Sequence, residues 1–404
     1  IQADVLARYH RLRGDDTFFL TGTDEHGTKI VQTAREMNTT PQALTDENST
    51  KFRALKELLN LSPDDFIRTS EERHKKGVVQ FWQALMAAGD LYKKKYTGHY
   101  CMGCEAFVTE KDLVDGMCPN HKQKPQVLSE ENYFFKLSKY SVQIADAISS
   151  DRLKVLPVER KNEILALLKE GLTDISFSRP AAVLQWGIPV PEDPAHMMYV
   201  WCDALTNYMT GVGYGTDDKL YKKWWPAQVH LIGKDILRFH AGVWIGMLLA
   251  AKLPLPEAIY VHGFVTSEGQ KMSKSLGNVV DPVHVVQEWG IDALRYYLLR
   301  EISTTGDGDF SATRFAALYE GELAHGLGNL VNRVISMTER YLDGVIPPSF
   351  TDTVFAPRNA AFWSAYESAL AVFDLKKALE AVMVFVADMN KDIATKEPWK
   401  IAKD

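Results

Sequence analysis

Cysteine is scarce in this chain, with four residues in 404. That is too few for a disulfide framework at this length, and it points to a reducing compartment. Long apolar runs are missing too: no stretch approaches the roughly 20 residues needed to cross a bilayer, so no membrane-spanning helix is read. No secretory signal peptide is read either. An excess of one charge is also absent, since 46 basic residues face 52 acidic ones and the formal net charge is −6. That balance speaks against wholesale binding to nucleic acid, DNA above all. A local basic patch stays open, because attraction depends on how charge is distributed as well as on its sum. Repeats and low-complexity tracts are lacking. So is an initiator methionine: "IQADVLARYHRLRG" reads as a helix already under way, with Ile1, Val5, Leu6, Tyr9 and Leu12 near helical spacing and Gly14 suited to its stop. The expectation is that sequence upstream of Ile1 has been cut off.

What remains is an ordinary globular composition, 46% hydrophobic and 24% charged, in a chain with room for two to four domains. Four short apolar runs each lead into a glycine or polar cluster. "DTFFL" precedes "TGTDEHGTKI", "MMYVW" precedes "CDALTNYMTG", "AQVHLI" precedes "GKDILRFH", and "AIYVH" precedes "GFVTSEGQKMSKS". Such runs, alternating with helical patterns, predict buried strands of a parallel sheet. Ligands of open α/β sheets sit beyond the carboxyl ends of the strands, so all four clusters are expected on one rim. Residues 91 to 196 read as an insertion with a helix at Glu159–Gly171. From about residue 311 the pattern becomes all-helical. Leu323, Leu327, Leu330, Val334 and Met337 form one predicted apolar stripe, and Asp374 is placed to cap a later helix.

Several constellations could carry chemistry. Cys101-x-x-Cys104, thirteen residues, then Cys118-x-x-His121 has the ligand types and paired spacing of a tetrahedral zinc site. Four ligands close the shell, so that zinc would be structural. Cys202 stands apart beside Trp201 and reads as a small buried hydrophobe. Asp24, Glu25 and His26 sit on the turn after a strand, where a carboxylate could hold an ammonium group or a metal; capping of the next helix by Asp24 is the alternative. Gly233 permits close backbone approach at the start of a helix, and Asp235 could accept from a ribose hydroxyl. His240 follows five residues on and reads as a structural histidine unless it shares a pocket with Trp201 and Tyr208. Asn329 and Arg333 occupy one helical flank and could read unstacked bases, with Trp399 as a stacking face; a solvated flank is the alternative. Lys271 and Lys274, in "SEGQKMSKSL", are set among small polar residues, Gly269, Ser273 and Ser275, and a solvated loop is the plain reading of such a pair.

Taken together, "KMSKSLGN", "FLTGTDEHG", "YVWCDAL..Y", "GKDILRFH" and "GNLVNR", in this order over essentially the whole chain, resemble the methionyl-tRNA synthetases, a family of class I aminoacyl-tRNA synthetases. The resemblance implies an α/β fold: a Rossmann-type parallel-sheet catalytic domain with a zinc-bearing connective insertion, then an all-α helix-bundle anticodon-binding domain. The divisions expected are 1–90 and 197–265 for the catalytic domain, 91–196 for the insertion, 266–310 for the lysine loop and stem-contact region, and 311–404 for the bundle. The activity implied is ATP-dependent activation of L-methionine and its transfer to tRNA(Met). Lys274, with help from Lys271, matches the lysine that stabilises charge on the ATP phosphates. Asp24 matches the carboxylate holding the methionine ammonium, and Trp201, Leu205, Tyr208 and His240 match the thioether pocket. Leu205 stands where some members carry proline. Gly233 and Asp235 match the ATP-ribose site, and Asn329, Arg333 and Trp399 match the anticodon readers. Cys101, Cys104, Cys118 and His121 match the structural Zn²⁺ knuckle, and Mg²⁺ would accompany ATP. A cytoplasmic enzyme is implied, or one in an organelle matrix. The His-x-Gly-His motif and first strand of class I enzymes are absent, so the chain as written is expected to bind ATP poorly. Another class I synthetase, or a non-catalytic tRNA-binding paralogue, is the competing expectation.

Overall fold

The computed structural model describes residues 1–102, 106–108, 110, 113–119, 122–272, 278–303, 306–346 and 355–402. They form two compact units, Gly14–Glu57 with Leu61–Val261, and Ile1–Arg13 with Leu58–Asn60 and His262–Asp404.

The first unit holds parallel strands of α/β type. Leu20–Thr23 pairs in parallel with Asp65–Arg68, Leu20 lying opposite Asp65 and Thr23 opposite Arg68. Glycine is needed in the middle of this pair, because a Cβ on Gly22 would stand 2.0 Å from the Ile67 carbonyl oxygen. Val229–Gly233, Ala258–His262 and Lys154–Leu156 make a second sheet in that order, the last two strands parallel. Its helices bury Phe81, Trp82, Ile144, Ile148, Trp244, Met247 and Leu248, all at most 1% exposed, around a single apolar cluster. Each side chain of this size adds about 1.5–3 kcal/mol through burial. Between these sheets in sequence, Leu91–Cys101 and Gln126–Phe135 form a long antiparallel ribbon running from Leu91↔Phe135 to Tyr100↔Gln126. The predicted helix in this region runs Val158–Glu170 and ends where Gly171 takes φ 87°.

Two strand expectations need correction. The run "DTFFL" is not the strand: pairing starts at Leu20 and continues through the glycine-containing segment that follows it. Phe19 is tied instead to Asp64, whose carboxylate accepts from the Phe19 N–H at 2.7 Å. Only Met197 and Met198 of "MMYVW" are in a strand, Asp193–Met198, which pairs antiparallel with Ser178–Pro180 and Pro189–Val190, while Val200 and Trp201 open the next helix. The polar cluster after it therefore does not leave a strand of either parallel set.

In the second unit, Ala293, Leu294, Tyr297, Ile302, Phe310, Phe315 and Leu318 form the core. The first helix, Gln2–Leu12, is anchored through fully buried Asp4, which accepts from Arg8 Nε at 2.9 Å and Arg295 Nη2 at 2.6 Å. The later helices are Asn329–Leu342, Phe355–Ala371 and Leu375–Lys396, and the Asp374 carboxylate caps the last by accepting from the Lys377 N–H at 3.0 Å. The predicted stripe is only partly covered: Leu323, Leu330 and Met337 are half-buried, while Leu327 and Val334 are 40% and 44% exposed. A π-helical segment, Tyr319–Gly328, precedes Asn329 and shifts the register that a uniform 3.6-residue period assumes. No described helix is long and apolar enough to cross a membrane.

Candidate active site

The helix Val200–Thr210 places Trp201, Leu205 and Tyr208 at steps of four and three, on one flank. A second element meets it. After the strand Val229–Gly233 comes a single 3₁₀ turn, Lys234–Ile236, then a π turn, Phe239–Trp244, carrying His240. The structure brings His240 and Tyr208 together, with His240 Nε2 2.7 Å from the Tyr208 hydroxyl. The other ring nitrogen, Nδ1, lies 2.9 Å from the Ile236 carbonyl oxygen. A carbonyl only accepts, so Nδ1 bears the proton, Nε2 accepts, and Tyr208 donates. Burial holds His240 down at about 4, outweighing the Ile236 carbonyl and Asp235. His230, stacked on Tyr208 at 4.0 Å, accepts from Trp244 Nε1 at 3.2 Å and is driven by burial to about 3. Both imidazoles are thus neutral. Trp201 lies edge-on to His240 at 6.4 Å and stacks on Phe239 at 3.9 Å. Leu205 is buried in the core beneath. The result is an aromatic, uncharged wall suited to an apolar, polarisable side chain. Cys202 is buried as expected, and burial pushes its thiol up.

The turn after Leu20–Thr23 presents an exposed Asp24 between anchored neighbours. Asp24 does not cap the next helix; Gly27, at φ 122°, takes that place with no side-chain bond. Glu25, 2% exposed, accepts from Arg68 Nε at 2.7 Å, from Thr23 Oγ1 at 2.7 Å and from the Ser70 hydroxyl. Trp186 clamps the main chain: its indole N–H donates to the Glu25 carbonyl at 2.6 Å, and its own carbonyl accepts from the Gly27 N–H at 3.2 Å. His26 Nδ1 lies 2.6 Å from Asp203 Oδ2, and the other oxygen of that carboxylate is 2.8 Å from His74 Nε2. Asp203 is fully buried. Burial alone would raise its carboxyl, yet the charge of His26 and the hydrogen bonds from both histidines outweigh burial and hold it at about 2. For His26, burial lowers the ring's pKa and the Asp203 charge more than reverses that, leaving it raised. Sequence reasoning placed Glu25 and His26 on this turn beside Asp24 without their structural partners, and assigned no role to His74, Trp186 or Asp203. The partners of Asp203 lie 177 and 129 residues away, beyond any local pattern.

Gly233 leads with extended backbone into the 3₁₀ turn, where Asp235 is exposed. In the second unit, Lys271 ends a hairpin whose turn is fixed by Asp309, which accepts from the Gly269 N–H at 2.8 Å and from Thr266 Oγ1 at 2.7 Å. Lys274 lies outside the described residues. The Arg333 guanidinium stands over the Trp399 ring at 5.6 Å, and exposed Asn329 donates to Asn390 Oδ1 at 3.3 Å. Of the zinc-type residues, Cys101 and Cys118 are 1% and 2% exposed, while Cys104 and His121 lie outside the described residues. Cys118 sits in a tight turn, its carbonyl accepting from the Lys122 N–H at 2.7 Å and its N–H donating to the Gln123 carbonyl at 2.9 Å. Among the described residues no group of three or more His, Cys, Asp or Glu is placed to hold a metal.

Comparison with known proteins gives a consistent result. The family described as tRNA synthetases class I (M) matches residues 1–126 and 120–335. A methionine–tRNA ligase of Brucella suis is 44% identical over 414 residues, covering 100% of this chain and 79% of that protein. One of Thermotoga maritima is 42% identical over 412 residues, covering 100% of this chain and 65% of that protein. Among solved structures, Mycobacterium tuberculosis methionyl-tRNA synthetase bound by methionyl-adenylate has a TM-score of 0.94 at 38% identity, covering 100% of this chain and 81% of that one. The chain thus spans about two thirds to four fifths of the length of these relatives.

Proposed function

The chain belongs to the class I (M) tRNA synthetases, and from that membership we infer that it activates L-methionine with ATP and transfers it to the 3′ end of tRNA(Met). The observation that carries this is identity of 44% over the whole chain with a protein named methionine–tRNA ligase. The pocket chemistry agrees with it. A methionine thioether prefers an uncharged aromatic wall, and Tyr208, His240 and Trp201 supply one with both neighbouring imidazoles neutral. Asp24, exposed on a clamped turn, would take the substrate ammonium, while Leu205 backs the pocket.

The amino-acid carboxylate is already ionised, so its attack on the α-phosphorus needs no general base. A carboxylate oxygen forms the new P–O bond, the bond to the β-phosphate oxygen breaks, and pyrophosphate leaves with both electrons. The protein's part is alignment and stabilisation of charge on phosphate oxygens, assigned to Lys274 with Lys271. Gly233 and Asp235 would hold the ribose. Mg²⁺, arriving on ATP as part of the substrate, would neutralise charge on the departing pyrophosphate. In the second step a ribose hydroxyl of the terminal adenosine attacks the methionyl carbonyl, the bond from that carbon to the phosphate oxygen breaks, and AMP leaves, its phosphate able to take up the hydroxyl proton. Asn329 and the stacked Arg333–Trp399 pair suit contact with anticodon bases. The reaction belongs where translation occurs, in the cytoplasm or an organelle matrix.

The test is amino-acid-dependent ATP–pyrophosphate exchange on the full-length gene product, with isoleucine, leucine, valine and cysteine run beside methionine. Exchange with methionine alone is expected. Exchange with another of these amino acids, or with none, would overturn the assignment.

A structural zinc ion fits the donor chemistry of the insertion. Cys101 and Cys118 are buried thiols at a strand end and in a tight turn, and Cys104 and His121 complete a four-ligand set in sequence. Bound there, zinc would cross-link the ribbon without touching substrate. Cys118→Ser is expected to lower zinc content by about one ion per chain and to expose the ribbon to protease. Metal analysis of the wild-type protein that finds no zinc would remove the site.

A further inference from the structure

Asp203 is a buried charged group of the first unit: a carboxylate at 0% exposure, ionised, between two histidines. Fold stability alone gives little reason for it, because a well-packed apolar group usually serves a core as well as or better than a buried ion pair. Its position suggests a different reason. One oxygen receives His26, two residues from Asp24 on the turn that the proposed function assigns to the substrate ammonium. The other receives His74, whose second nitrogen, Nδ1, lies 2.8 Å from Thr210 Oγ1. Asp203 and Thr210 are seven residues, about two turns, apart on the helix Val200–Thr210. His74 therefore bridges two points of that helix and fixes its rotation, while His26 ties the Asp24 turn to the same point. This is the helix that carries Trp201, Leu205 and Tyr208.

We propose that Asp203 is a positioning residue for amino-acid recognition, holding the Asp24 turn in register with the side-chain pocket through His26 and His74. The two halves of an amino-acid site, ammonium anchor and side-chain wall, come from strands and helices far apart in sequence. Trp186 fixes the turn along its main chain, and Asp203 fixes it against the helix. Selectivity for an L-amino acid that carries both groups then depends on one buried joint. The proposal rests on the reading of Asp24 as ammonium anchor, and its test separates the two.

The measurement is equilibrium binding by titration calorimetry of methionine and of 4-(methylthio)butanoate, which keeps the thioether and carboxylate but has no ammonium. Asp203→Asn preserves shape and removes the charge. It should weaken methionine by about tenfold or more and the des-amino analogue by no more than about twofold, a charge-assisted contact's worth of selective loss. Equal loss for both ligands would mean a general scaffold role and overturn the proposal, as would no loss for either. Should Asp203→Asn fail to fold, His26→Ala and His26→Asn carry the same test. Alanine removes the joint, whereas asparagine can place its amide N–H near the site of Nδ1, so methionine preference should fall with the first and return largely with the second. Failure of that rescue with a folded protein also overturns the proposal. Asp24→Ala, measured in parallel, must itself abolish the preference for methionine over the analogue; if it does not, the ammonium reading of Asp24 is what fails.

Discussion

Lys274→Ala is expected to lower methionine-dependent pyrophosphate exchange by about 10²–10³-fold, roughly 3–4 kcal/mol of transition-state stabilisation, while methionine affinity stays within about twofold. The separation follows from where charge develops. The methionine site proposed above is built from residues of the first unit, the aromatic wall and the Asp24 turn, whereas Lys274 is assigned to the phosphates. Negative charge grows on phosphate oxygens only as the α-phosphorus is attacked, so a cation acting there lowers the barrier without strengthening ground-state binding of the amino acid. The segment's sequence suits such a role. Gly269, at φ 74°, turns the chain, Asp309 fixes that turn, and in the sequence Lys274 stands between Ser273 and Ser275. Lysine is also a compact cation on a flexible stem, able to follow a phosphate through bond breaking. A loss of methionine affinity equal to the loss of exchange would assign Lys274 to binding, and unchanged exchange would remove it from the reaction.

The α/β class and the helical C-terminal region were legible because hydrophobic period is a local property. Individual strands were read less well. "DTFFL" has the composition of a strand, yet the ladder forms one step later because Gly22 lets the Ile67 backbone approach where a side chain would block it. "MMYVW" is apolar enough for a buried parallel strand, yet its first two residues end the central strand of a small antiparallel sheet and its last two open a helix, and nothing within the run marks that change. The predicted stripe assumed an even helical period, and the π-helical segment Tyr319–Gly328 breaks it. At the site, motif resemblance supplied Tyr208 and His240, 32 residues apart, and the structure adds the tautomer that their hydrogen bonds impose. The buried joint at Asp203 had no local signal of any kind. Its three members come from a turn and two helices, and only folding makes them neighbours.

Two adjacent carboxylates in the same motif should behave in opposite ways, and that contrast tests the site reading most directly. Asp24→Asn is expected to raise the methionine KM in exchange by about 100-fold, with the ATP KM changed less than about threefold, because a partly desolvated ion pair to the ammonium is lost while the amide keeps the shape. The turn itself should survive, since it is held by Glu25, His26 and the Trp186 main-chain clamp. The thermal midpoint is therefore expected to move little. Glu25→Gln reverses the pattern. Glu25 is buried and shares Arg68 with Asp46, whose carboxylate accepts from Arg68 Nη2 at 2.6 Å; an uncharged replacement removes the buried half of that pairing and weakens the bonds from Thr23 and Ser70, at a cost of about 1–3 kcal/mol. The thermal midpoint should drop by several degrees, and whatever enzyme remains folded should retain a near-native methionine KM. If instead both variants lose stability alike, Asp24 is a structural residue of the turn and the ammonium must be held elsewhere. If neither changes KM, the turn does not contribute to the amino-acid site, and the joint at Asp203 has nothing to position.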